Sequence, residues 1–131
     1  MHAKHAATVL LVLLLPLTAH AQPPALEANE PTWAAYIACK IPSAVTEVRL
    51  FDETRVDILT ATEAIEADWS KKWSEGIGQA CYYSALTDRR PVLLLLVRDK
   101  EKERRFINRA LIAGRKRELP SGPMIARPTS G

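Results

Sequence analysis

The sequence predicts an α/β (α+β) fold: a small mixed sheet flanked by helices, in the element order α-β-β-β-α-β-α. Three observations carry this. Two short stretches, 46–51 and 55–60, alternate apolar and polar residues about the turn Asp52-Glu53-Thr54, as a hairpin does. A stretch at helical spacing follows, and then Val92-Leu-Leu-Leu-Leu-Val97, an apolar run of strand length. The passage from a third strand through a helix to that run is the pattern of a right-handed parallel βαβ crossover.

The elements follow in order. Thr32 is placed to cap a first helix over 33–40, with Trp33, Tyr36 and Ile37 on one side and Pro42 ending it. In the second strand Val56 and Ile58 face one way, and Arg55, Asp57 and Leu59 the other. Residues 63–68 read as a third strand, with Ala64, Glu66 and Asp68 sharing a face. Ser70 is a candidate cap for a helix over 71–86, whose buried stripe would be Trp73, Ile77, Ala80, Cys81 and Ser84. Gly76 and Gly78 weaken that helix, which points to a close approach to a strand or ligand. The apolar run 92–97 suits a central strand covered on both sides. A last helix over 99–115 would turn Phe106, Ile107, Ala110, Leu111 and Ala113 inward, with Gly114 ending it.

The 131-residue chain divides into four parts. Lys4, an apolar run over 9–17 and the small residues of Ala19-His20-Ala21 make the three-part pattern of a secretory signal peptide over 1–21, with cleavage before Gln22. Its apolar core is shorter than the roughly 20 residues of a membrane span, so the mature protein is expected to lack one and to lie in the periplasm or outside the cell. Residues 22–31 form a flexible lead-in, 32–118 a single domain, and the Pro/Gly/Ser-rich 119–131 a disordered tail. The cysteines, Cys39 and Cys81, either form a bridge closing a loop of about 40 residues or stay as two thiols. Net charge is +3, concentrated after residue 97, where Lys and Arg outnumber acids; such a run is either a solvated helix face or a surface for phosphates.

The residues that suggest chemistry lie between Glu47 and Val97. Asp57 and Glu66 fall on adjacent strands, and Asp68 lies two residues beyond Glu66 on the same face. Carboxylate oxygens of this kind suit hard cations such as Mg²⁺ or Mn²⁺, which bind a scissile phosphate and activate water. Lys72 and Gln79 are almost two helical turns apart and project the same way, and Tyr83 continues that face. The three histidines, His2, His5 and His20, all lie in the leader, which removes zinc-histidine and Ser-His-Asp chemistry from the mature domain. A plainer reading leaves Glu66 and Asp68 on an exposed strand face, paired with Arg49 or Arg55, and Trp33, Trp69 and Trp73 as core or rim.

An Asp on one strand and (Asp/Glu)-x-Lys on the next resembles the PD-(D/E)XK nuclease-like superfamily, the restriction-endonuclease-like fold. Asp57 takes the first position and Glu66 the second, while Asp68 stands where the family has lysine. Gln79-Ala-Cys-Tyr-Tyr83 is similar to the QxxxY helix of RecB-type members. The resemblance implies a restriction-endonuclease-like core and catalytic roles for Asp57, Glu66 and Lys72, with Lys72 replacing the missing lysine. It also implies metal ligation by Asp57, Glu66 and Asp68, and support or nucleic-acid contact from Gln79, Tyr83 and Glu47. The expected function is an exported, divalent-metal-dependent nuclease acting on nucleic acid. The alternative is a non-catalytic periplasmic binding or structural module that keeps the fold.

Overall fold

A computed structural model describes residues 22–115; the expected leader over 1–21, the end of the expected domain over 116–118 and the expected tail over 119–131 lie outside the described residues. The chain is a mixed α/β domain. In order it forms α1 (Glu30–Ala38), β1 (Val45–Arg49), β2 (Arg55–Leu59), β3 (Glu63–Trp69), a 3₁₀ turn (Ser70–Lys72), α2 (Trp73–Thr87), β4 (Arg90–Leu96) and α3 (Arg104–Arg115). The four strands lie in the order β1-β2-β3-β4, antiparallel except for the parallel β3/β4 pair.

Side-chain alternation sorts the layers. Ile58, Ile65, Ala67, Val92 and Leu94 face α1, where they pack with Ala34 and Ala38. Ile58 is fully buried, worth about 1.5–3 kcal/mol relative to an exposed side chain. On the opposite face α2 lies so close to the sheet that a Cβ at Gly76 would sit 2.6 Å from Leu93 Cδ1 and 3.1 Å from Asp68 Cβ. Gly76 is thus a point of close approach; Gly78 is not, since nothing lies within 4 Å of a Cβ there.

Several elements depart from the sequence expectations. α1 starts at Glu30, because the Asn29 side chain accepts from Thr32 N at 3.0 Å and Pro31 suits the first turn. Ser70 does not cap α2; its hydroxyl bonds Glu103, and the chain enters through the 3₁₀ turn. The buried line of α2 is Gly76, Ala80 and Tyr83, with Cys81 exposed, because contact at Gly76 sets the rotation of the helix. β4 is an edge strand rather than a central one; β3, largely buried, is internal. α3 starts at Arg104, since Asp99 Oδ1 accepts from the amides of Glu101 and Lys102, both at 3.1 Å, and holds residues 99–103 in turns. No residue of α3 is fully buried. No bridge joins Cys39 and Cys81, and both are exposed. Among the described residues no helix is long and apolar enough to cross a membrane.

Candidate functional site

Beside β2 and β3 and under the start of α2 lies a cavity of about 340 Å³. Asp57, Glu66, Asp68, Lys72, Gln79 and Tyr83 all line it, together with Glu30 and Glu75. The β2/β3 register makes the junction. Ile58 pairs with Ile65 and Leu59 with Ala64, and one step further that register sets Asp57 opposite Glu66. The backbone pairing stops there, and the Asp57 carboxylate takes over: its Oδ2 accepts the Ala67 amide at 2.9 Å. One carboxylate oxygen is thereby fixed to the neighbouring strand.

Glu66 and Asp68 are buried, 6 % and 3 % exposed, so they do not form a solvated strand face. Nor do the arginines named above pair with them, as Arg55 bonds Glu47 at 2.7 Å. Glu66 Oε2 is buried and has no hydrogen-bond partner. A buried carboxylate in that condition is costly to ionise. Burial, reinforced by the charges of Asp57 and Asp68, pushes the Glu66 carboxyl up to about 8. Asp68 is pushed up to about 6 by burial first and then by its hydrogen bond to Glu30 and that residue's charge; Lys72 pulls the other way. Burial also raises Asp57, against the lowering effect of the Ala67 amide. The cavity therefore concentrates more acid than its surroundings neutralise.

Among the described residues two cations line it, Arg55, which is paired with Glu47, and Lys72. The Lys72 Nζ lies 3.3 Å from Glu30 Oε1 and 3.7 Å from Asp68 Oδ1, and both contacts favour the charged amine. Lys72 stands four residues beyond Asp68, past the end of β3 and through the 3₁₀ turn, at the N-terminal boundary of α2. Gln79 and Tyr83 lie on the following turns, and the Tyr83 ring packs with Val56 and Ala64. Burial and the charges of Glu66 and Asp57 raise the Tyr83 phenol above its ordinary range.

Glu47 is not among the residues lining the cavity; its carboxylate pairs with Arg55 and acts on Asp57 and Glu66 only through its charge. Glu30 and Glu75, by contrast, escaped the sequence reading. A signal for Glu30 was present in Asn29-Glu30-Pro31, a helix start that places an acid in the first turn. Glu75 is one turn before Gln79 and was hidden among ordinary surface acids.

The donor set is chemically suited to a hard divalent cation: it is carboxylate oxygen, with one buried oxygen unsatisfied. Among the described residues, however, no three Asp, Glu, His or Cys side chains are set closely enough to hold a metal ion. The fit lies in ligand chemistry and strand adjacency, not in a finished coordination sphere. Fold and cavity define a mixed α/β domain with a buried acidic pocket. No protein family, curated protein or solved structure matches the chain.

Proposed function

We propose that the acidic cavity is a divalent-metal site for phosphodiester hydrolysis of nucleic acid, in a domain akin to the PD-(D/E)XK nucleases and exported from the cell. The observation that carries this reading is the meeting of Asp57 and Glu66, from neighbouring strands, in one cavity, with Glu66 Oε2 buried and unpartnered. Such an oxygen calls for a proton or a cation, and the carboxylates around it favour a cation.

Asp57, Glu66 and Asp68 are the proposed ligands of Mg²⁺ or Mn²⁺, whose binding would have to draw carboxylates together that stand apart in the metal-free protein. When bound there, such a cation would supply Lewis acidity at a phosphoryl oxygen and a lowered pKa for a water. The chain's own groups divide the remaining work. Asp57 is oriented by the Ala67 amide. Lys72 would supply positive charge for the phosphate from a position four residues beyond Asp68, where those nucleases have their lysine, and is held by Glu30 and Asp68. Gln79 and Tyr83 offer polar contacts along one flank.

A second reading, a non-catalytic binding or structural module, draws on Asp68 in the lysine position and on Lys72 being engaged by two acids. Digestion of plasmid and single-stranded substrates with Mg²⁺ or Mn²⁺ separates the two. Nuclease function requires cleavage that Asp57→Ala or Glu66→Ala abolishes. Cleavage unchanged in Asp57→Ala would come from a contaminant.

A further inference from the structure

A second cavity, of about 500 Å³, opens on the other flank of α2, between that helix, β4 and α3. Its wall is aliphatic: Ile77 from α2, Leu93 and Leu95 from β4, and Ile107 and Leu111 from α3 line it. Arg115, at the end of α3, is the one charged residue among the lining residues described. None of the acids of the first cavity contributes to it.

We propose that this groove binds a single-chain anionic amphiphile, a long-chain carboxylate, with its acyl chain along Leu93, Leu95 and Leu111 and its carboxylate at Arg115. The size and lining are those of a small-ligand site, apolar with one orienting polar group. Charge complementarity selects the head group. α3 carries Arg104, Arg105, Arg109 and Arg115 and no acid, and all four arginines are exposed. Among the described residues Arg109 and Arg115 have no carboxylate partner, whereas Arg104 pairs with Glu101. On a helical wheel Leu111 falls beside Arg104 and Arg115, so the apolar wall meets the basic strip at the mouth of the groove. Leu111 is 52 % exposed, and a chain lying along it would remove that surface from water. Nucleic acid would use the arginines but would gain nothing from the aliphatic wall. The inference does not rest on the nuclease reading, since the two cavities share no lining residue.

Calorimetric titration of the full chain with dodecanoate, below its micelle concentration, tests the proposal, with dodecanol as the neutral comparison. Saturable one-site binding is expected. Leu111→Glu should weaken binding of both ligands about tenfold or more, because it places a like charge and a polar group on the chain path. Arg115→Glu should weaken dodecanoate about tenfold while changing dodecanol little. Both positions are exposed, and unchanged melting temperatures would show that the variants fold. Absence of binding, or binding indifferent to both substitutions, overturns the proposal. So does a groove closed by self-association in sedimentation, or adsorption to anionic phosphatidylglycerol vesicles without binding of monomeric dodecanoate.

Discussion

Glu66 shows how one side chain ties stability to pH. Its carboxyl has an ordinary value of 4.5 in the unfolded chain and is pushed up to about 8 in the fold. Between those values the folded state keeps a proton that the unfolded state has lost. Stability of the metal-free protein should therefore be highest at the acid end of this window and fall as pH rises from 4.5 through 8. Asp68, raised to about 6, adds the same trend over a narrower range. Denaturant unfolding at several pH values checks this. Glu66→Gln should flatten the slope and stabilise the protein at pH 8, because the amide carries no charge to bury. A profile rising with pH through that window would contradict the assignment. Lys72 gives a second prediction at this scale. Held by Glu30 and Asp68, it is proposed to act on the substrate's charge, so Lys72→Ala should lower the cleavage rate more than metal affinity. Equal losses in both would make it a structural ion-pair partner.

At the scale of elements, α2 offers a paired comparison. Gly78→Ala should stabilise the protein by up to about 1 kcal/mol, through helix propensity alone, since the added methyl meets nothing within 4 Å. Gly76→Ala should instead destabilise by about 1–3 kcal/mol, as its methyl would press on Leu93 and Asp68 and lift the helix from the sheet. Thermal melts of both variants decide it; stabilisation in both would mean that α2 does not pack closely at Gly76. The same contact explains what the sequence could and could not reveal. Strand alternation was enough to put Asp57, Glu66 and Asp68 on one side, because a period of two follows from backbone geometry. The rotation of α2 was not readable, since it depends on a tertiary contact at a glycine rather than on the apolar spacing. β4 was misread for a related reason: five residues between Val92 and Leu96 are aliphatic, and such a run reads the same at the edge of a sheet as at its centre. The site residues on β2 and β3, with Gln79 and Tyr83 of α2, were legible from spacing; Glu75 was not, for want of anything to mark it among surface acids, and Glu30 enters from α1, remote in sequence, and depended on how that helix is seated.

For the whole molecule, the crossover from β3 through α2 to β4 sets the two cavities on either side of one helix, one acidic and one aliphatic. The acidic cavity lies near the carboxyl end of β3, where Asp68 is followed by the turn that brings in Lys72. The central claim is that this cavity takes a hard divalent cation, and calorimetric titration of the purified protein with Mn²⁺ tests it most directly. Our account predicts saturable binding that Asp57→Ala and Glu66→Ala each abolish, with both variants still folded. No binding of Mn²⁺, or binding unchanged in both variants, would contradict it and leave the non-catalytic module as the better reading.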